Sequence, residues 1–248
     1  MVIRFIPNLL TLLNLFSGCI AIVLIFNGSY IYSSVLIFVA SIFDFFDGTA
    51  ARLLNAKSEI GKQLDSLSDV VSFGVAPSGI LYMLMVNSSP FPANQILNYS
   101  ALPAFLIAIF SALRLAKFNI DDSQTFSFKG LPTPANALFI ASLTFIYLQN
   151  NSGGLYANLL SSLTHNYFAL LGLTILLSIL LVSKLPLMGL KTKSLKWNFI
   201  KFKVIFLVLT FILVVFLGFQ SSPAILLLYI ILSVFERHNT DKQQITVQ

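Results

Sequence analysis

Eight largely apolar stretches run through this chain, and every lysine and arginine falls before the first, after the last, or in or at the edge of alternate connections between them. A helix of about 20 apolar residues crosses the hydrocarbon of a bilayer. The stretches lie near Asn8 to Phe26, Tyr30 to Phe46, Leu64 to Val86, Ala101 to Phe118, Ala135 to Leu148, Tyr167 to Ser183, Val204 to Gly218 and Ala224 to Phe235. Basic residues stay on the cytoplasmic side. Arg4 precedes the first span, Arg52, Lys57 and Lys62 lie between the second and third, and Arg114, Lys117 and Lys129 lie around the end of the fourth and the connection to the fifth. Six lysines from Lys184 to Lys203 join the sixth to the seventh, and Arg237 and Lys242 follow the eighth. The other connections, Asn27 to Ser29, Asn87 to Ser100, Gln149 to Asn166 and Phe219 to Pro223, contain no Lys, Arg, Asp or Glu. The expected fold is therefore an all-α polytopic membrane bundle of eight transmembrane helices with both termini cytoplasmic.

Only 10% of the residues are charged, against about 25% in soluble domains. The net charge of +6 is a topology signal, with some attraction to anionic headgroups, and points to no nucleic-acid partner. The lysine-rich stretch Lys191, Lys193, Lys196, Lys201 and Lys203 with Trp197 reads as an ordinary positive-inside connection. Phe16-Ser17-Gly18-Cys19 loosely resembles a lipoprotein cleavage box, but the apolar run continues past it and a single Arg4 makes a poor leader. Cys19, the one cysteine, is expected to be a small packing residue. Neither internal repeats nor linkers divide the chain. Residues 1–237 read as one membrane domain and 238–248 as a short polar tail.

Four of the nine acidic residues, Asp44, Asp47, Asp65 and Asp69, fall within or at the cytoplasmic ends of spans two and three, where carboxylates are costly. Spacings of three and four place each pair on one helix face. A short connection makes the two helices antiparallel neighbours, so the pairs can face each other beneath the membrane surface. Four carboxylates around one space repel unless a cation neutralises them, and all-oxygen ligation suits one or two Mg²⁺ or Mn²⁺ ions. Gly48 and Gly61 give each helix a place for close approach. Arg52 sits at the water boundary, where it can hold a phosphate, and Ser58 followed by Glu59 reads as an N-cap.

The pattern Asp44-x2-Asp47-Gly48-x2-Ala51-Arg52-x8-Gly61-x3-Asp65-x3-Asp69 resembles the signature of the CDP-alcohol phosphotransferase (CDP-alcohol phosphatidyltransferase) family at every fixed position. The resemblance implies a six-helix core, to which two helices are added here. It implies that Asp44, Asp47 and Asp65 are metal ligands and that Asp69 is both ligand and general base. Gly48, Ala51, Arg52 and Gly61 would line the nucleotide and pyrophosphate. The implied reaction is metal-dependent displacement of CMP by an alcohol, with no covalent enzyme intermediate, and family members tend to be homodimers.

Two further stretches are similar to the phosphatidylserine synthase branch: Asn8 to Gly18 in the opening helix, and Arg114-Leu115-Ala116-Lys117-Phe118-Asn119 followed by Gly130-Leu131-Pro132-Thr133-Pro134-Ala135. Lys117 replaces a usual arginine and loses the bidentate fork. The branch implies CDP-diacylglycerol and L-serine as substrates. Serine carries a carboxylate, so Arg114, Lys117 and Asn119 are candidates for acceptor or lipid-phosphate binding, against a reading in which Arg114 and Lys117 anchor at the interface. Asn8, Thr11 and Asn14 follow helical spacing and are read as helix-to-helix hydrogen-bonding residues or substrate contacts. Glycerol 3-phosphate or inositol phosphate as acceptor calls for a denser cationic pocket. A transporter with an acidic relay explains the carboxylates but not the glycine, alanine and arginine spacing. A phospholipase-D-like transferase needs paired His-x-Lys sites, and neither His165 nor His238 has that context.

Overall fold

The computed structural model describes residues 5–56, 58–91, 98–120, 128–148, 155–187 and 197–245. Ten α-helices are seen among them: α1 Phe5–Phe26, α2 Tyr30–Leu53, α3 Glu59–Asp69, α4 Ala76–Ser88, α5 Leu106–Ile120, α6 Thr133–Tyr147, α7 Leu155–Thr164, α8 Tyr167–Val182, α9 Trp197–Leu217 and α10 Ser222–Ile245. A π-helical segment, Val70–Val75, joins α3 to α4, and a 3₁₀ turn, Tyr99–Phe105, leads into α5. The regular backbone outside the helices is one two-residue antiparallel pairing, β1 Phe128–Lys129 with β2 Pro186–Leu187.

Each of the eight expected spans coincides with a helix or a continuous helical run. Residues 59–88 and 99–120 are each unbroken and long enough to cross a bilayer, as are α1 and α2. Residues 201–236 form one long helical run with a strongly apolar stretch, yet the rings of Phe206 and Tyr229 meet at 5.6 Å. A straight helix would hold residues that far apart in sequence about 35 Å from each other. The chain therefore folds back between α9 and α10, at the 3₁₀ turn opened by Gly218 with φ +56. With 15 residues α6 is short, and α7 meets α8 at 90°. Helix α7 lies within the connection from Gln149 to Asn166, where Leu155, Leu159 and Leu163 follow a helical period.

The bundle buries many small and polar residues alongside large ones such as Phe73, Ile80 and Leu81. On α1 the inward stripe is Thr11, Asn14, Ser17, Gly18, Ala21 and Ile25, while Leu9, Leu12, Phe16, Val23 and Phe26 are exposed. Lipid is as apolar as leucine, so helices associate through small side chains that allow close approach and through interhelical hydrogen bonds. Gly18 rests against Ser72, whose Cα would lie 2.8 Å from any Cβ placed there. Cys19, expected to pack, instead faces outward; helical rotation gives the contact to its glycine neighbour.

Along α1, Thr11 meets Ser68 and Asn14 meets Ser72 through hydroxyl-to-carbonyl bonds of 3.1 and 2.9 Å. Helices α1 and α3 thus run parallel, with α2 antiparallel to both. The Ala76 N–H bonds to the Val71 carbonyl, the i to i+5 pattern of a π-helix. Such an insertion rotates the residues on either side relative to one another. Asp65 and Asp69 can then turn toward α2 while Phe73, Ala76 and Ile80 stay in the apolar core.

Candidate active site

Asp44 and Asp47 come from the C-terminal half of α2, Asp65 and Asp69 from α3. Ser58 caps α3, its Oγ accepting from the Gly61 N–H at 3.0 Å, so the helix starts where the sequence signals and Asp65 follows two turns later. Carboxylate oxygens of Asp44, Asp47 and Asp65 all lie within 4.8 Å of one another. The Asp44 carboxyl also makes hydrogen-bonding contact with those of Asp65 and Asp69. Asp47 and Asp69 are buried, Asp44 and Asp65 partly so.

At that separation two carboxylates repel by on the order of 3–4 kcal/mol at an effective dielectric of about 20. One buried pair is costly, and four groups around one point require a positive partner. The donor set is all oxygen, as Mg²⁺ and Mn²⁺ prefer. Asp44, Asp47 and Asp65 therefore fit a divalent metal, with Asp69 within electrostatic reach of all three.

Helix α1 supplies the outer support. Thr11 Oγ1 donates to Asp47 Oδ2 at 2.6 Å, and Asn14 Nδ2 donates to Asp69 Oδ1 at 3.3 Å. For Thr11 and Asn14 the helix-to-helix reading is the one seen, since each bond ties α1 to a carboxylate of the cluster. Such partners orient ligands and hold their charge. Asn8 is placed differently: its Oδ1 lies 3.1 Å from where a Gly61 Cβ would stand. Gly61 thereby admits α1 against the start of α3.

On the opposite wall, Gly48 faces open space, its nearest potential neighbour being Arg52 Nη1 at 4.0 Å. Arg52 is exposed and donates to Thr49 Oγ1 at 3.0 Å; Ala51 is half-buried beside it. A ligand can reach the α2 backbone at Gly48 beside this guanidinium.

The three acceptor-side candidates separate. Arg114 is buried on α5, within electrostatic reach of Asp69 and of the Tyr229 phenol. Lys117 is exposed. Asn119 Nδ2 donates to Ser66 Oγ at 2.8 Å, and its carbonyl accepts from Lys62 Nζ at 3.0 Å, so it joins α5 to α3. Asp121, Asp122, Lys191, Lys193 and Lys196 lie outside the described residues, as does the Trp197 side chain.

Two features have no role in the sequence reading, although Thr133 lies in the Gly130 to Ala135 stretch. Tyr229, on α10, reaches toward Arg114 from the far end of the chain. On α6, Thr133 and Asn136 are buried, and Thr133 Oγ1 and both amide atoms of Asn136 have no hydrogen-bond partner among the described residues. Leaving such a group unpaired costs about 1–3 kcal/mol.

Residues 4–180 match the family model described as CDP-alcohol phosphatidyltransferase. The CDP-diacylglycerol–serine O-phosphatidyltransferase of Bacillus subtilis is 40% identical over 146 residues, covering 58% of this chain and 77% of the relative. The protein of the same name from Helicobacter pylori is 35% identical over 212 residues, covering 85% and 81%. An archaetidylserine synthase from Methanothermobacter thermautotrophicus is 38% identical over 139 residues, covering 55% and 56%. The matched span contains the whole aspartate cluster, the α1 residues that support it and Arg114. With its signature residues gathered around one point and the family model covering most of its length, the chain belongs to the CDP-alcohol phosphatidyltransferase family.

Proposed function

We propose that this protein is a CDP-diacylglycerol:L-serine O-phosphatidyltransferase that makes phosphatidylserine and releases CMP. The observation that carries the reading is the convergence of Asp44, Asp47 and Asp65 within 4.8 Å, with Asp69 and Arg114, the one buried arginine among the described residues, within electrostatic reach. The names of the relatives favour serine as acceptor.

In this reading Asp44, Asp47, Asp65 and Asp69 hold Mg²⁺ or Mn²⁺, two ions when the site is full. The metal supplies neutralisation of the pyrophosphate oxygens. Gly48 lets the nucleotide diphosphate approach the α2 backbone, and Ala51, Arg52 and Gly61 complete its border. Asp69 takes the proton of the serine hydroxyl. The hydroxyl oxygen bonds to the phosphorus that carries diacylglycerol, the pyrophosphate P–O bond breaks, and CMP leaves with the electron pair. Thr11 and Asn14 hold Asp47 and Asp69 in place throughout. Arg114 meets the serine carboxylate, while Lys117 and Asn119 lie toward the lipid phosphates at the surface.

The membrane arrangement completes the proposal. In this reading α1, α2, the α3–α4 run, α5, α6, α8, α9 and α10 are eight spans with both termini and the site on the cytoplasmic side, which the distribution of basic residues supports. Residues 1–237 form the catalytic domain, and 238–248 are its cytoplasmic tail, entered as a continuation of α10. The protein works as a homodimer.

The test is purified protein in detergent with CDP-diacylglycerol, Mn²⁺ or Mg²⁺, and serine, glycerol 3-phosphate or inositol phosphate in parallel. Phosphatidylserine and stoichiometric CMP are expected. Product formed only from a phosphate-bearing acceptor would overturn the assignment of serine.

A further inference from the structure

Three helices present buried polar atoms with no hydrogen-bond partner among the described residues, close to the depth of the aspartates. They are Asn14 Oδ1 on α1, Ser111 Oγ and Arg114 Nε on α5, and Thr133 Oγ1 and both amide ends of Asn136 on α6. Asn136 is 0% exposed, Thr133 1% and Arg114 8%. Buried polar side chains nearly always find partners, so such a cluster marks a place where a polar ligand completes the bonding.

Helix register sets the depth. Ser34 Oγ and Thr144 Oγ1 share a hydrogen bond of 2.7 Å between the antiparallel α2 and α6. At about 1.5 Å per residue, Asp44 lies about 15 Å inward of Ser34, and Asn136 and Thr133 lie about 12 and about 17 Å inward of Thr144. The first turn of α6 thus brackets the level of Asp44. Helix α6 also packs against the π segment that follows Asp69. On the neighbouring wall Gly74 abuts Ala108 and Ser111 of α5, which carries Arg114 one turn further inward, toward Asp69.

We propose that Thr133 and Asn136, with Arg114, recognise the amino-acid backbone of the acceptor, holding its α-carboxylate and α-ammonium so that its hydroxyl points at Asp69. This rests on the phosphatidylserine reading and assigns the residues of that reading's acceptor pocket. Arg114 takes the carboxylate, aided by the N-terminus of α6, which has no side-chain cap and whose free N–H groups attract negative charge. Asn136 Oδ1 and Thr133 Oγ1 accept from the ammonium. One buried guanidinium balances one carboxylate. A phosphate dianion would leave a charge uncompensated, since Lys117 faces away into exposure.

The pocket wall is held from behind. The Gly130 N–H bonds to the Leu185 carbonyl and the Leu131 N–H to the Leu180 carbonyl, each at 2.9 Å, tying the entry of α6 to the end of α8. Gly130 has φ +78, and a Cβ there would stand 3.0 Å from the Ser183 carbonyl oxygen. Thr133 and Asn136 therefore sit on a helix whose start is anchored, as a specificity wall requires.

The experiment compares L-serine with 3-hydroxypropionate, which keeps the hydroxyl and carboxylate but lacks the ammonium, using full-length wild type, Asn136→Leu and Thr133→Val. Wild type should favour serine by about 100-fold or more in kcat/KM, as expected when a site hydrogen-bonds the missing group. Asn136→Leu should shrink that ratio by about tenfold or more and raise the serine KM, with the CDP-diacylglycerol KM within about twofold. Thr133→Val should act in the same direction and serves if Asn136→Leu does not fold. An unchanged ratio, or parallel losses for both acceptors and for CDP-diacylglycerol, would show a packing role and overturn the assignment. Wild type that accepts 3-hydroxypropionate as well as serine would overturn it without any variant. Wild type inactive with serine but active with glycerol 3-phosphate would instead remove the serine reading itself.

Discussion

Thr11 donates its hydroxyl to Asp47 across a 2.6 Å hydrogen bond, joining the first helix of the chain to a carboxylate on the second. The same hydroxyl lies 3.0 Å from the Pro7 carbonyl, and the Thr11 carbonyl accepts from Ser68 on α3. One residue thus links three helices at the point where the acidic side chains meet. Packing and chemistry coincide here because a buried carboxylate needs donors, and in lipid those donors must come from a neighbouring helix.

Replacing Thr11 by Val keeps the volume and removes the donor. Outer-shell partners of metal ligands are worth about 10- to 100-fold in metal affinity or activity. The concentration of Mn²⁺ for half-maximal turnover should rise by about tenfold or more in Thr11→Val, with thermal unfolding little changed. Asn14→Ala should show the smaller effect, since its bond to Asp69 is longer, at 3.3 Å. A metal titration of activity checks both.

Asp69→Asn separates proton acceptance from metal ligation. An amide oxygen can still face a cation, but the group no longer takes a proton. Loss of a general base costs about 10²- to 10⁴-fold, so turnover should fall by at least that much while metal-dependent CDP-diacylglycerol binding persists in part. Equal loss of binding and turnover would make Asp69 a ligand alone. Chelator treatment of the wild type should abolish both, and Mg²⁺ or Mn²⁺ should restore them.

Close packing at Gly18 gives a stability test away from the chemistry. An added Cβ would meet Ser72 at its Cα, 2.8 Å away, and at its hydroxyl. Ser72 sits in the π segment and bonds to α1, so it has little room to yield. Gly18→Ala should destabilise the protein by about 1–3 kcal/mol. Gly172, where an added methyl would meet nothing within 4 Å, should tolerate alanine. Thermal unfolding in detergent compares the two.

Much of this architecture is legible in residue order, because lipid imposes simple rules. Apolar length marks the helices, and spacings of three and four announce that Asp44, Asp47 and Asp65 can meet, as they do within 4.8 Å. Ser58 announces the start of α3. What escapes is rotation. Arg114 and Lys117 lie three residues apart with the same charge, yet one is buried and the other exposed. The choice depends on how α5 turns when Gly74 admits Ser111 and Ala108. The π segment has no compositional mark, since Val70–Val75 would be ordinary in an α-helix. Asn119 looks like a free amide until the fold brings Ser66 beside it.

The last two helices lie beyond the span matched by the family model, yet α10 packs against α6 and against β2 beside the entry to α6. Its Tyr229 is 9% exposed, stands with Phe206 in the turn-back between α9 and α10, and is within electrostatic reach of Arg114. A phenol beside a buried guanidinium fixes its orientation without cancelling its charge. Tyr229→Phe keeps the ring and its packing while removing the polar end. If α10 serves only to shield the bundle from lipid, that change should leave kinetics untouched. If it positions Arg114, the serine KM should rise by about fivefold, the equivalent of about 1 kcal/mol for one hydrogen bond. The CDP-diacylglycerol KM and the thermal midpoint should stay near wild-type values. We expect the second outcome, because Tyr229 is buried and within electrostatic reach of Arg114. Steady-state kinetics with each substrate varied in turn decide between them.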